Sequence, residues 1–321
     1  MGKRIGMALI VILVVATITY LSVSYTIYNK LSRATHGGGE HKDNTPSSFQ
    51  VTDEKWKDFD ESPYFMQEYE EVRFPSRQAG LDLAGWYIPG EPNAPAIILT
   101  HGLNGCKCQP NVLTAAGMLH HDGFHVLVYD LREHGESDIE DGRVAVGNEE
   151  YMDLLGAWDW LVAERGFAPD RIGVYGQSFG AATTLIAFSQ EARVAAAFVD
   201  SPYTDLPTVM EEELARNDYP TFFVGGAVLV ARVVAGDDLL AHSPSDALQA
   251  DAGRPIYIVH GTGDTRVDVH HTRDLAEWAV DTGANVYTWI PGGIGHVEAE
   301  FTFPDEYAQR LTSFFHQALH W

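Results

Sequence analysis

Short apolar runs alternate along most of the chain with longer segments whose apolar residues recur at helical spacing. The runs are typical of strands that are buried on both faces of a sheet. They cover residues 95–101, 125–130, 171–175, 194–200, 255–260 and 285–290, and residues 69–74 and 83–88 ahead of them predict a hairpin. Helical spacing predicts helices over residues 111–121, 151–162, 181–190, 269–282 and 304–316, and Asn148 is expected to cap the second of them. This alternation predicts an α/β fold with a mostly parallel, eight-stranded sheet flanked by helices.

The fifth of these strands is followed by a serine that has the local context of a nucleophile. Ser178 lies in the sequence Gly176-Gln177-Ser178-Phe179-Gly180, between an apolar strand and an alanine-rich helix. A sharp strand-to-helix turn exposes a serine hydroxyl, and small flanking residues let the backbone pack closely around it. The alternative interpretation is a glycine-rich turn with a capping serine. We expect Ser178 to be the nucleophile of a hydrolase.

The remaining members of a nucleophilic triad are expected at the carboxyl ends of later strands, where ligands of parallel sheets bind. Asp264 follows the strand at 255–260, and His296 follows the strand at 285–290. In this prediction His296 takes the proton of Ser178, and Asp264 orients and stabilises the imidazole. Asp268 is the alternative acid. The alternative for both predicted residues is an ordinary polar residue in a turn.

Several short motifs, taken in order, resemble the α/β-hydrolase superfamily. They are His101-Gly102-Leu103-Asn104-Gly105, Asp130-Leu131-Arg132-Glu133-His134-Gly135-Glu136-Ser137, Gly176-Gln177-Ser178-Phe179-Gly180, Asp200-Ser201-Pro202, His260-Gly261-Thr262-Gly263-Asp264 and Gly295-His296. Within the superfamily, the chain is similar to membrane-anchored α/β-hydrolase domain proteins and to bacterial serine esterases and lysophospholipases of the serine aminopeptidase type. The resemblance covers about residues 69–317. Glu133 departs from the family pattern, which usually has glycine there, and this puts the geometry of its loop in doubt.

The resemblance implies an oxyanion hole and a cap. The hole would use the backbone N–H groups of Phe179, directly after the nucleophile, and of Leu103, in the loop after the third strand. A small cap insertion is expected at about residues 201–252, with a charged helix around residues 210–213 and an apolar helix at 222–234. The apolar helix is interpreted as a buried cap helix, or as an acyl-binding wall or membrane-facing lid.

The N-terminal segment predicts a membrane anchor. Residues 5–28 contain no charged residue, and as a helix they would extend about 36 Å, against a hydrocarbon core of ~30 Å. Lys3 and Arg4 precede the segment, and no clear cleavage site follows it. We expect an uncleaved, single-pass signal anchor with the domain on the extracytoplasmic side; a cleaved signal peptide is the alternative. Residues 29–62, which include Gly37, Gly38 and Gly39, predict a stalk or linker before the hydrolase domain of residues 63–321.

Composition and motifs also narrow the range of partners and cofactors. The net charge of −24 disfavours nucleic acid as a partner. Cys106 and Cys108 are predicted to be thiols, because a bridge across one residue would be strained. No phosphate loop, dinucleotide fingerprint or metal cluster is visible in the sequence, so we expect no cofactor.

The sequence thus predicts a serine hydrolase that cleaves acyl or lipid-like carboxylic esters through a Ser178-Asp264-His296 triad. A serine peptidase of the same fold is one alternative, although such peptidases usually carry a propeller or a larger cap. A binding protein that keeps the fold without catalysis is the other alternative. We expect a small-molecule acyl ester or lipid as substrate.

Overall fold

The computed structural model describes residues 2–34 and 39–321. Residues 35–38, which belong to the predicted linker, lie outside the described residues. The strands are β1 Glu70–Pro75, β2 Asp82–Ile88, β3 Ala96–Thr100, β4 His125–Tyr129, β5 Ile172–Gln177, β6 Ala196–Asp200, β7 Ile256–Val259 and β8 Val286–Trp289. The helices are α1 Gly2–Ser32, α2 Pro110–His121, α3 Tyr151–Glu164, α4 Phe179–Gln190, α5 Leu206–Arg216, α6 Val224–Val230, α7 Ala247–Ala250, α8 His270–Thr282, α9 Ala299–Thr302 and α10 Pro304–Leu319.

The eight strands form one sheet in the order β1-β2-β4-β3-β5-β6-β7-β8. β2 runs antiparallel to β1 and β4, and every pairing from β4 to β8 is parallel. The predicted mostly parallel, eight-stranded sheet is therefore confirmed. Its parallel part brings the carboxyl ends of β3, β5, β6, β7 and β8 to one edge.

Helices cover both faces of this sheet, and side chains of successive strand residues point to opposite faces. Ile98 belongs to an apolar cluster with Leu154 of α3 and Leu185 of α4. Ile97 belongs to a second cluster with Leu113 of α2 and Leu311 of α10. Because the inner parallel strands β3, β4, β5, β6 and β7 are covered on both sides, they need the continuous apolar runs seen in the sequence, whereas the edge strand β8 is partly exposed.

The cap insertion comprises α5, α6, a π-helical turn at Ala231–Ala235, and α7. Asn148, which we expected to cap α3, instead binds the cap. Its side-chain amide donates to the carbonyl of Leu239 and accepts from the N–H of His242. The residue before α3 is Glu150, and its carboxylate accepts from the N–H groups of Ala145 and Gly147. Asn148 therefore serves as a tie between the hydrolase core and the cap.

The segment predicted as a linker packs on the domain where it is described. Phe49 is 1% exposed, and the rings of Trp56 and Phe59 lie 5.6 and 5.0 Å from the ring of Phe301. These aromatic side chains are removed from water only by lying on the domain. Residues 39–62 are therefore part of the packed structure.

Within the described residues, α1 is the one helix that is long and apolar enough to cross a membrane. Its most apolar window is not buried by the rest of the chain, and Ile10 and Leu13, for example, are exposed. A signal sequence near an N-terminus has the same length and composition. The helix continues to Ser32, beyond the predicted end at residue 28.

A charged network joins the loop after β1 to the helical layer. Arg77 binds Asp159 of α3 and Glu191 at the end of α4, and Glu191 also binds Arg193. The hydrogen bonds from Arg193, followed by those from Arg77, lower the pKa of Glu191 to about 2 against the opposing effect of burial. The pKa of a glutamate in an unfolded chain is about 4.3.

We predict that Glu191→Gln destabilises the protein at neutral pH by about 1–2 kcal/mol, because charge-assisted hydrogen bonds are lost. The folded-state pKa is lowered, so this contribution is present above about pH 4.3 and is lost as the pH falls through about 2. Thermal melting at pH 7 and pH 2.5 measures the effect, with the exposed Glu164→Gln as the charge-matched control. An equal melting difference at both pH values would contradict the assignment.

Candidate active site

The site is built around the strained turn between β5 and α4. Ser178 has φ 55° and ψ −120°, a backbone conformation that side chains rarely adopt. A Cβ atom on Gly176 would collide with Gly180 and Thr184, and one on Gly180 would collide with the backbone of Thr100 and His101. The two glycines therefore let α4 start directly against β5 and the end of β3. This packing turns the Ser178 side chain outward at the strand edge.

The predicted serine, histidine and aspartate meet at this edge. His296 Nε2 lies 2.7 Å from Ser178 Oγ, and His296 Nδ1 lies 2.6 Å from Asp264 Oδ2. Ser178 follows β5, Asp264 follows β7 and His296 follows β8. Asp268, the alternative acid, is exposed and accepts a hydrogen bond from the N–H of His270 at the start of α8. Among the described residues no hydrogen bond joins Asp268 to His296, so Asp264 is the acid that the geometry places beside the imidazole.

Asp264 is held as a buried carboxylate. Its Oδ1 accepts from the N–H groups of Arg266 and Val267, and its Oδ2 binds His296 and His260. Burial alone would raise the pKa of Asp264, but the hydrogen bonds from His260 and His296 hold it well below the usual value. The group therefore stays ionised and can stabilise a positive charge on His296.

His260 is a supporting residue to which the sequence analysis gave no role. It is fully buried, and its Nε2 lies 3.1 Å from Asp264 Oδ2 and 2.9 Å from the carbonyl oxygen of Val267. Both of these atoms are acceptors, so Nε2 carries the proton and Nδ1 accepts from the Thr272 hydroxyl. Its position at the end of β7, four residues before Asp264, is the signal that could have identified it.

Two further histidines hold the loop that contains Leu103. His101 Nε2 accepts from the N–H of Leu131, so its Nδ1 donates to the carbonyl of Gly102 at 2.8 Å. His134 Nδ1 donates to the carbonyl of Arg132, and its Nε2 accepts from the N–H of Asn104. Burial lowers the pKa of His101 to about 3. His101 is therefore neutral across the ordinary working range of pH.

This loop orients the N–H of Leu103, one of the two predicted oxyanion donors. The Gly102 carbonyl accepts from His101 and from the N–H of Gly105, and in a trans peptide the following N–H points the opposite way. The N–H of Leu103 is therefore turned away from these partners, and Leu103 lies beside Ser178 in the wall of the same cavity. Phe179 is the first residue of α4, where N–H groups have no acceptor within the helix.

A buried polar network lies under Ser178. Gln177 accepts from Asn111 and donates to Tyr175 and to Glu300. Burial, together with the charge of Asp200, raises the pKa of Glu300 well above its usual value. A protonated Glu300 avoids a second buried charge beside Asp200. The sequence analysis assigned no role to these residues, because their proximity depends on α9 returning to the strand edge.

Two cavities meet at Ser178. One, of about 300 Å³, is mainly apolar and is lined by Tyr203, Leu206, Met210 and by Tyr28 and Leu31 of α1. The other, of about 390 Å³, is more polar. It is lined by Gln109, Asn111, Gln177, His296 and by residues of the packed N-terminal segment, which include His41, Asp53 and Trp56. A larger cavity of about 690 Å³, beside Tyr257 and Arg310, lies away from Ser178 and His296.

Two loop expectations change with the structure. Cys106 and Cys108, predicted as thiols, form a disulfide. Their Cα atoms are 5.0 Å apart, within the usual range for a disulfide, because Lys107 between them is drawn inward by Asp130. Glu133 adopts a φ of 66°, and its carboxylate accepts from the N–H groups of Glu140, Asp141 and Gly142. Glu133, which stands where the family pattern has glycine, thus organises its own loop.

Comparison with known proteins agrees with this fold. A Pyrococcus furiosus esterase superposes with a TM-score of 0.63 over 78% of this chain and 92% of its own, at 22% identity. An acylaminoacyl peptidase of Pyrococcus horikoshii gives a TM-score of 0.56 over 77% of this chain, but only 40% of the peptidase is covered, at 21% identity. Fold and relatives together define a serine α/β-hydrolase.

Comparison of sequences identifies the family of the chain. The prolyl oligopeptidase family matches residues 110–320, so the chain belongs to that family. An uncharacterised protein of Mycobacterium tuberculosis is 28% identical over 228 residues, which is 70% of this chain and 71% of that protein. A polyketide transferase of Aspergillus fumigatus is 36% identical over 138 residues, covering 41% of this chain and 45% of the transferase.

We predict that His134→Phe lowers kcat for a chromogenic ester about tenfold with little change in KM, because a misplaced Leu103 N–H weakens only the transition state. His134→Gln keeps an acceptor for the N–H of Asn104 and is the matched control, expected to retain most of the activity. Steady-state kinetics measure both variants. A rise in KM at constant kcat would show that the loop acts in ground-state binding instead.

Proposed function

We propose that this protein is a membrane-anchored serine esterase that hydrolyses carboxylic esters with an acyl or lipid-like chain. The observation that carries the proposal is the continuous hydrogen-bonded line from Ser178 Oγ through His296 to Asp264, beside an apolar cavity. The line supports nucleophilic catalysis, and the cavity supports an acyl chain as the bound group.

In the first half of the reaction, Ser178 Oγ attacks the ester carbonyl carbon and its proton passes to His296 Nε2. The carbonyl π electrons move to oxygen, and the resulting oxyanion accepts hydrogen bonds from the N–H groups of Leu103 and Phe179. The tetrahedral intermediate then expels the alcohol, which takes the proton from His296, and an acyl-serine remains. Each oxyanion donor contributes about 3 kcal/mol to transition-state stabilisation.

In the second half, water replaces the alcohol. His296 Nε2 takes a proton from the water as its oxygen bonds to the acyl carbon, and a second oxyanion forms in the same hole. When this intermediate collapses, the carboxylic acid leaves and Ser178 Oγ recovers its proton from His296. Asp264 remains ionised throughout and stabilises the imidazolium at both stages.

The two cavities support an assignment of the two parts of the substrate. The acyl chain fits the apolar cavity, whose lining includes Leu206, Met210 and Leu31. The leaving alcohol fits the polar cavity, whose lining includes Gln109, Asn111 and His41. An acyl chain in the polar cavity would leave amide and imidazole groups without water or a partner, which is costly.

A peptidase is the second candidate, because the chain belongs to the prolyl oligopeptidase family. One comparison favours the ester. The relative that is 36% identical carries the name of a transferase of polyketides, which are acyl compounds.

We also propose that α1 is an uncleaved anchor and that the domain lies on the extracytoplasmic side. Its length and exposed apolar surface support an anchor. The Cys106–Cys108 disulfide supports an extracytoplasmic position of the domain, because disulfides persist in oxidising compartments.

The proposal predicts that the full chain in detergent hydrolyses p-nitrophenyl acyl esters far faster than aminoacyl and N-acylaminoacyl p-nitroanilides. Ser178→Ala is expected to lower kcat on the esters by about 10³-fold or more. The matched control is Ser189→Ala, a serine near the end of α4, at the opposite end from Ser178. Turnover of the anilides alone would favour the peptidase, and full activity of Ser178→Ala would exclude the mechanism.

The assignment of the apolar cavity predicts that Met210→Trp restricts chain length. The larger side chain fills part of the cavity, so kcat/KM for a dodecanoyl ester should fall about tenfold more than for a butyryl ester. Val280→Trp, at an exposed position on α8, is the control. An equal loss for both esters would place the acyl chain elsewhere.

A further inference from the structure

The cap carries apolar side chains that are exposed and do not pack against the hydrolase core. We define the cap apolar face as Phe222, Leu229, Val233 and Val234, which are 65%, 51%, 75% and 58% exposed. They lie on α6 and on the short helical turns at its two ends. Exposed apolar side chains concentrated on one short segment mark an interaction site in a well-folded protein.

This face is held at a fixed height on α1. Gly226 of α6 packs so closely on α1 that a Cβ atom there would collide with Ser24 and Tyr20. The Tyr20 ring stacks on Phe222 and Phe223 at centroid distances of 6.2 and 5.4 Å, and its hydroxyl donates to the carbonyl of Phe222 at 3.1 Å. The cap therefore touches α1 along the turns at residues 20–24.

The length of α1 sets the depth of that contact in a bilayer. Lys3 and Arg4 mark one end of the apolar stretch, which begins at Ile5. A hydrocarbon core of ~30 Å takes about 20 helical residues at 1.5 Å each. If Ile5 lies at one boundary, the other boundary falls near Ser24, and Tyr20 lies about 6 Å inside it. A tilted helix brings further residues into the core. The contact between the cap and α1 therefore lies within about 6 Å of the hydrocarbon boundary, on its inner side.

The groups beyond this level fit an interface. Tyr28, which lines the apolar cavity, is about 6 Å past Ser24 along the helix and so at headgroup level. Lys30 and Arg33 at the end of α1 and Arg232 beside Val233 are exposed, and their long side chains can reach the headgroups. The apolar stretch of α1 thus ends where charged residues begin.

We propose that the cap apolar face enters the acyl-chain region of the same bilayer that α1 crosses, so that the apolar cavity meets the membrane at headgroup level. The occupant of this surface is the lipid bilayer itself. This inference rests on the anchor assigned to α1 in the proposed function. It implies that the ester substrate is an amphiphile whose chain passes from the membrane into the cavity between α1 and the cap.

The test uses the full chain in phosphatidylcholine nanodiscs with a bimane fluorophore on an introduced cysteine. Cys106 and Cys108 form a disulfide, so labelling is directed to the new thiol. Val233→Cys reports on the cap face, and Val280→Cys on α8 is a matched control, because these valines are 75% and 82% exposed. Leu13→Cys, at a position 67% exposed in the middle of α1, reports separately on the anchor.

We expect lipids with brominated chains to quench the labels at residues 13 and 233 roughly twofold more than the label at 280, while aqueous iodide quenches the label at 280 preferentially. Iodide quenching of residue 233 equal to that of residue 280, with residue 13 quenched by brominated chains, would overturn the inference and leave the anchor standing. A label at residue 13 that brominated chains do not quench would overturn both. Ester hydrolysis in the same nanodiscs reports on the esterase independently of either outcome.

Discussion

The left-handed backbone of Ser178 is the constraint on which the site depends. A side chain in this conformation costs about 1–3 kcal/mol, which the surrounding packing must offset. Gly176 and Gly180 permit that packing, because neither position has room for a Cβ atom. The N–H of Ser178 is bound by the carbonyl of Asp200 at 2.8 Å, which fixes the turn to β6. The hydroxyl is thereby presented at the one edge where the parallel strands all end.

The rest of the site surrounds that hydroxyl in two layers. His296 forms a hydrogen bond with the hydroxyl, and Asp264 forms one with His296. His260 binds the same Asp264 carboxylate. His101 donates to the carbonyl of Gly102 and His134 accepts from the N–H of Asn104, so both hold the loop of Leu103. Four of the 14 histidines thus lie within one small region around Ser178. The hydrogen-bond partners of His260, His101 and His134 keep each imidazole in one tautomer, so each ring holds its neighbours in a fixed orientation.

The sequence predicted the sheet, most helices and the residues that meet at Ser178, because those features depend on local periodicity and on strand ends. Contacts between distant segments were less accessible. Asn148 was expected to cap a helix, but its amide bonds to the cap, and nothing near it in sequence indicates this partner. Likewise, Trp56 and Phe59 of the predicted linker pack on Phe301 of α9, 245 and 242 residues further along the chain. The Cys106–Cys108 disulfide depends on Asp130, which also comes from another segment.

The anchor and the site are joined in one body, since Tyr28 and Leu31 of α1 line the apolar cavity beside Ser178. Chemistry at Ser178 remains the central claim, and it is tested most directly by mass-spectrometric mapping of the full chain after reaction with a fluorophosphonate. The account predicts a single adduct on the peptide that contains Ser178, absent from His296→Ala, because the hydroxyl needs its base. An adduct on another residue, or equal labelling of Ser178 without the imidazole, would contradict it.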